Sequence, residues 1–148
     1  MIQRIQTVYM LISAILIGLL FTLPFAEIAD AAGKLYVFDI RGIVHQNTVT
    51  ENGMAIAGLI GIILLLHVSA VFMYKRRVLQ IRLLVLSILL NIGLFGMFYF
   101  FTYYAFDDAD ISFKIAVAFP IVVLILDYLA IRGIGKDEAL IRSMDRIR

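Results

Sequence analysis

The sequence predicts an all-α membrane protein: a four-helix transmembrane bundle with a small extracytoplasmic loop and a short cytoplasmic amphipathic helix at its C-terminal end. Three observations carry this expectation. The chain has 148 residues, 63% of them hydrophobic, with a mean hydropathy of +1.00, whereas a soluble domain holds roughly 45–50% apolar residues. The apolar residues fall into four long blocks separated by short polar segments, the pattern of bilayer-spanning helices. The Lys and Arg residues gather on one side of the topology that those blocks define.

The first span covers 5–25. Arg4 precedes it, and Ala29-Asp30-Ala31 has the look of a small-residue cleavage site. The run is longer than the roughly 7–15-residue apolar core of a signal peptide, so the segment is expected to remain as a helix. The loop 27–53 follows. Its stretches 35–40 and 42–44 are rich in strand formers, and 47–50 is placed to pair back, which predicts a small β-ribbon. The second span, 54–74, and the third, 78–101, are joined by so short a connection that they must form an antiparallel pair. The second outer loop, around 107–110, is short and acidic.

The fourth span is predicted at 111–131. Its apolar centre, 115–131, contains Pro120 and Asp127, with Ile111 and Phe113 extending it outward and Lys114 snorkelling to the interface. The tail, 132–148, changes character after Gly133 and Gly135. Asp137 is placed to cap a new helix beginning at Glu138. On that helix Leu140, Met144 and Ile147 share a face, and Glu138 with Arg142 forms an i,i+4 pair. Such a helix lies along the membrane surface or packs on the bundle end.

Orientation follows from charge. Arg4, the cluster Lys75, Arg76, Arg77 and Arg82, and the tail residues Arg132, Lys136, Arg142, Arg146 and Arg148 lie on one side; Lys34, Arg41 and Lys114 lie on the other. In short loops the basic side is cytoplasmic, so both termini are expected there. Acidic residues mirror this, with Glu27, Asp30, Asp39, Glu51, Asp107, Asp108 and Asp110 in the outer loops. The basic face is expected to meet anionic lipid headgroups, at about 1 kcal/mol per nearby cation. Nucleic acid is not an expected partner, because the cations track the membrane boundaries.

The chain holds no cysteine, which excludes disulfides, thiolate metal sites and cysteine nucleophiles. No phosphate-binding glycine loop, dinucleotide pattern, HExxH or nucleophile elbow is present. His45 and His67, the two histidines, fall at opposite ends of the topology. Three neighbouring acids at Asp107, Asp108 and Asp110 in a solvated loop are not expected to hold a cation. No enzyme activity, cofactor or metal is therefore expected.

Intramembrane polar residues are where function is sought first. At about 1.5 Å per residue, Ser13 lies roughly 12 Å from its cytoplasmic helix end, His67 roughly 10 Å, Ser87 roughly 14 Å and Asp127 roughly 6–8 Å. All four spans thus place a polar group in one slab, and Asn91 lies one turn beyond Ser87. One reading makes His67 and Asp127 an exchangeable proton pair inside a polar cluster. The other sends Asp127 to the interface, paired with Arg132 or Arg82, and leaves His67 as a neutral residue locking helices together, with Ser87 bonded to its own backbone. We expect the second arrangement. Small residues predict close helix packing: Ala14 and Gly18 on the first span, and Gly53, Ala57 and Gly61 on the second. Gly93 and Gly96, among bulky aromatics, mark a lipid-facing or partner-facing surface.

The opening Met1-Ile2-Gln3-Arg4-Ile5-Gln6-Thr7-Val8-Tyr9 resembles the start of a bacterial family of small membrane proteins. So do the closing Ile131-Arg132, Lys136-Asp137-Glu138 and Ile141-Arg142-Ser143-Met144-Asp145-Arg146. The family is domain of unknown function 4293, typical of Bacteroidota. The resemblance implies an inner-membrane protein and carries no activity, cofactor or catalytic residue. The expected role is a non-enzymatic accessory or scaffold subunit of a membrane complex, partnered by another membrane protein or by its own copies. The alternative is a small oligomeric transporter or proton-linked channel that uses the inner-leaflet cluster. A lipid-modifying enzyme ranks last, since no acid, base or metal cluster converges in the outer loops.

Overall fold

The computed structural model describes residues 3–30, 33–46, 48–103 and 109–145. Four α-helices carry the fold: α1 (Gln3–Leu19), α2 (Met54–Phe72), α3 (Arg77–Tyr103) and α4 (Phe119–Asp145). Helices α1 and α3 each pack against both α2 and α4. Three helical segments, Met54–Phe72, Arg77–Tyr103 and Ile115–Ile141, are long and apolar enough to cross a membrane. The described apolar part of α1, Ile5–Leu19, is shorter.

The inward faces obey one spacing. Gln6, Met10, Ser13 and Ile17 are buried on α1, with Leu20 just past its end, and Ile56, Ile60, Ile63, His67 and Ala70 on α2. Gln80, Leu84, Ser87, Asn91, Leu94 and Phe98 are buried on α3, and Val123, Asp127, Ala130 and Ile134 on α4. Steps of four and three alternate along each helix. An average step of about 3.5 residues is the repeat of left-handed side-by-side helix packing.

The outer connections are more ordered than a β-ribbon. Strands β1 (Ala26–Ala29), β2 (Leu35–Asp39), β3 (Gly42–His45), β4 (Thr48–Asn52) and β5 (Asp110–Phe113) make one antiparallel sheet, ordered β4-β3-β2-β1-β5. The predicted ribbon is its β2-β3-β4 part. Strand β5 comes from the second outer loop and pairs Ala26 with Phe113 and Ala29 with Asp110, so the sheet ties the two outer loops together. Lys114 and Glu27 add an ion pair at 2.9 Å across that seam. Of the acids in this loop, Asp110 is exposed on β5; Asp107 and Asp108, like Asn47, lie outside the described residues.

One sheet face rests on the helices. Period-two alternation turns Ala26, Ile28 and Phe38 inward and Glu27, Leu35 and Val37 outward. The inward residues join Phe25, Ile17, Leu20, Ile56, Ile60, Leu94, Phe98 and Val123 in the larger apolar core. Phe38 meets Phe25 edge-on at 5.2 Å and stacks on Phe101 at 5.6 Å. Glycine is obligatory at one junction. Gly42 has φ +111, and a Cβ there would collide with the backbone of Glu51 and Gly53; a Cβ on Gly53 would collide with Gly42.

Several boundaries differ from the sequence expectation. The first helix stops at Leu19, not at residue 25. Its last amides tighten into i→i−3 bonds, Leu20 to Ile17 and Phe21 to Gly18, and Pro24 bars the residue before it from helical geometry. Residues 20–25 of that block are turn and irregular chain leading into β1. Ile111 and Phe113 do not extend the fourth helix; they belong to β5. A 3-10 turn, Ile115–Ala118, follows, and α4 begins at Phe119 with Pro120 in its first turn, where a missing amide is tolerated.

The separate tail helix is also corrected: α4 runs unbroken through Gly133 and Gly135 to Asp145. A helical glycine costs only about 1 kcal/mol relative to alanine. Here Gly133 lets Gln6 of α1 approach so closely that a Cβ would lie 2.9 Å from its Cγ. Asp137 is not a cap; its Oδ2 accepts a 2.9 Å bond from Gln6 Nε2. Leu140 is exposed, while the side chains of Arg142 and Met144, together with Arg146, Ile147 and Arg148, lie outside the described residues.

Candidate functional site: a buried polar layer across four helices

The heptad-like spacing brings Ser13, His67, Ser87 and Asp127 to one level. All four, and Asn91, are 0% exposed. Three residues towards the N-terminus of α1, and at the same level on the other helices, sits the smaller apolar cluster of Met10, Ala70, Leu84, Ala130 and Ile134. On the opposite side lie Ile17, Ile63, Leu94 and Val123 of the larger core. The polar layer is thus sandwiched between two apolar ones.

Its hydrogen bonds run from helix to helix. His67 Nδ1 lies 2.9 Å from the carbonyl oxygen of Ile63, one turn back on α2. A carbonyl only accepts, so Nδ1 carries a hydrogen. His67 Nε2 lies 2.9 Å from Asp127 Oδ1. That contact needs one proton as well, held either by the carboxyl group beside a neutral ring or by an imidazolium beside a carboxylate. In both cases the pair as a whole is neutral. Ser87 Oγ donates to Asp127 Oδ2 at 3.0 Å. Asn91 Nδ2 donates to the Ser87 carbonyl at 3.1 Å and reaches Ser87 Oγ at 3.4 Å. The chain from Asn91 to Ile63 therefore crosses α3, α4 and α2. Two oxygens stand outside it: Ser13 Oγ and Asn91 Oδ1 are buried with no hydrogen-bond partner.

This geometry overturns the expectation that Asp127 reaches the interface beside Arg132 or Arg82. The carboxyl group is fully enclosed and its partners are His67 and Ser87. The reason is rotational. Asp127 falls on the same face as Val123, Ala130 and Ile134, which points inward, whereas Arg132 is exposed. Ser87 also spends its hydroxyl hydrogen on Asp127 instead of its own backbone. His67 joins α2 to α4 through its 2.9 Å contact with Asp127.

The other predicted residues are scattered. Among the small residues, Gly53 makes a close approach, to Gly42. Ala14 and Ala57 are half-buried, and Gly18 and Gly61 have open space where a Cβ would stand, so those two glycines bring no neighbouring backbone close. Lys75, Arg76, Arg82, Arg132 and Lys136 are exposed, and Arg77 is half-buried. Gly93 and Gly96 are exposed with nothing near them.

Sequence reasoning passed over a second polar layer. Gln6 and Gln80 are buried; Gln80 Nε2 donates to the Ala70 carbonyl at 2.9 Å and touches Met10 Sδ at 3.4 Å. The signal was present: Gln6 stands seven residues before Ser13, and Gln80 seven before Ser87. In the sheet, His45 Nδ1 donates to the Leu35 carbonyl at 2.8 Å, with the ring against Tyr36. Among the described residues no three His, Cys, Asp or Glu side chains are grouped to hold a metal ion.

Comparison with known proteins places the chain in a family. Domain of unknown function (DUF4293) matches residues 2–147, and the chain belongs to it. No curated protein and no solved structure matches.

Proposed function

We propose that this member of the family is a four-helix transmembrane bundle of the bacterial inner membrane, with both termini cytoplasmic, and that it serves as an accessory or scaffold subunit of a membrane complex. The observation that carries the reading is the polar layer closed between two apolar ones. It ties α2, α3 and α4 together, and its partners are internal. A rigid body with a locked interior and broad apolar flanks presents surfaces to others. The outward residues Ile62, Leu65, Leu89, Ile92, Tyr99 and Ile125 are exposed, which suits lipid or a partner helix. The sheet crowns one end, and Lys75, Arg76 and Arg82 collect at the other, in accord with the positive-inside rule.

Purification in a gentle detergent followed by mass spectrometry tests this role. A reproducible co-purifying membrane protein is expected; a lone monomer would overturn it. Topology is tested separately. The chain has no cysteine, so Thr48→Cys and Arg132→Cys report cleanly. Impermeant thiol reagents should label the first in intact cells and the second only after permeabilisation.

A second reading rests on the shared proton of His67 and Asp127. Under it, the bundle self-associates and relays protons through the polar layer. Proton flux in proteoliposomes that His67→Leu abolishes would favour this reading; no flux from the intact protein would remove it.

A further inference from the structure

Arg77, the first residue of α3, keeps a guanidinium nitrogen without an acceptor among the described residues. Arg77 is half-buried, and its Nη1 is enclosed with no hydrogen-bond partner among the described residues. A guanidinium keeps its charge at every physiological pH and offers only donors, so this nitrogen calls for an acceptor. Two clefts meet at Arg77. One, of about 570 Å³, is lined also by Lys75, Arg76, Arg82 and Glu138. Four cations there face one carboxylate, a net charge of +3 (4 − 1). The first turn of α3 holds no acidic residue, although that is where acids are favoured. The other cleft, of about 280 Å³, runs beside α1 along Val8, Met10 and Tyr74, with Thr7 and Gln80 at its wall.

We propose that this junction is a binding site for a phosphate group, specifically that of an anionic phospholipid. Arg77 donates to the phosphate oxygens from below. Lys75, Arg76 and Arg82 supply the surrounding positive field. The neighbouring cleft, lined by Val8, Met10 and Tyr74, receives the first part of an acyl chain. The planar guanidinium fork matches phosphate oxygens in pairs, which distinguishes a built site from the general attraction of a basic surface for anionic lipid. The lipid source rests on the membrane placement proposed above, but not on the scaffold role, so failure to capture a partner protein leaves this site untouched.

The test uses the full chain, delipidated in a non-ionic detergent. Phosphatidylglycerol, phosphatidylcholine and inorganic phosphate are titrated separately, with bound lipid read by native mass spectrometry and thermal unfolding read in parallel. Phosphatidylglycerol is expected to bind and raise the unfolding temperature. Arg77→Gln should weaken that binding roughly tenfold, the loss of one charge-assisted contact. Arg77→Lys, which keeps the charge and guards against a folding defect, should weaken it by less. Arg132→Gln, an equal change of charge elsewhere, should leave it unaltered. Three results would overturn the proposal. Equal losses from Arg77→Gln and Arg132→Gln mean diffuse attraction. Equal binding of phosphatidylcholine means hydrocarbon alone is recognised. Saturation by inorganic phosphate without lipid retention means the source is free phosphate.

Discussion

His67 and Asp127 stand sixty residues apart in sequence and 2.9 Å apart in the fold, with neither side chain exposed. Removing one member strands the other. Asp127→Ala leaves His67 Nε2 and the Ser87 hydroxyl without their partner and is expected to cost about 3–5 kcal/mol. Asp127→Asn is the informative contrast. Its amide donates to Nε2 of a neutral ring, and its carbonyl accepts from Ser87, so both bonds survive and the expected loss is below about 1.5 kcal/mol. The double variant His67→Leu with Asp127→Leu should be less destabilised than the two single losses added. Unfolding in mixed detergent micelles measures the parent chain and each of these variants.

Phe38 couples the sheet to α3. Its ring is fully buried against Phe25, Phe98 and Phe101. Phe38→Ala is expected to cost about 3–5 kcal/mol and to loosen the sheet while the helices persist. Amide exchange should quicken across β1 to β3 and stay slow near His67 and Ser87.

Gly42 and Gly53 touch backbone to backbone, and Gly42 holds a conformation that side chains disfavour. Gly42→Ala is expected to cost at least about 1–3 kcal/mol. The readout is proteolysis within the outer loop, where the variant should be cut under conditions that spare the parent chain.

Two neighbouring glycines on α4 should respond with opposite sign. Gly135 has open space around it, so Gly135→Ala gains helix propensity and should stabilise by about 0.5–1 kcal/mol. A methyl on Gly133 strikes Gln6 and displaces its bond to Asp137. Gly133→Ala should therefore lower the unfolding temperature while Gly135→Ala raises it.

The four helices were legible because each rests on a long apolar run, and run length survives any detail of packing. The level of the polar layer was legible too, since Ser13, His67, Ser87 and Asp127 lie at comparable distances from their helix ends. The partner of Asp127 was not. Its distance from Arg132 along the chain invites a local pair, but the alternating four-and-three register turns Asp127 inward and Arg132 outward. Strands β1 and β5 were hidden for a different reason. Each has four residues and adjoins an apolar run, so β1 was read as loop and most of β5 as the start of the fourth span. The unbroken α4 was hidden because glycine weakens a helix without forbidding it, and the contact that offsets the weakness, from Gln6, comes from the other end of the chain.

The sheet order has a consequence for the timing of synthesis. β1 is flanked by β2 and β5, and β5 leaves the ribosome only after α2 and α3. A nascent chain that has completed four strands thus carries one edge of β1 unpaired, and open edges recruit foreign strands. Closure waits for the residues that follow α3, when β5 docks on β1 and α4 docks on α1. The segments before α2 and after α3 thereby seal one another on both storeys of the molecule, and a product stalled before that point exposes two raw seams, one of backbone amides and one of hydrocarbon.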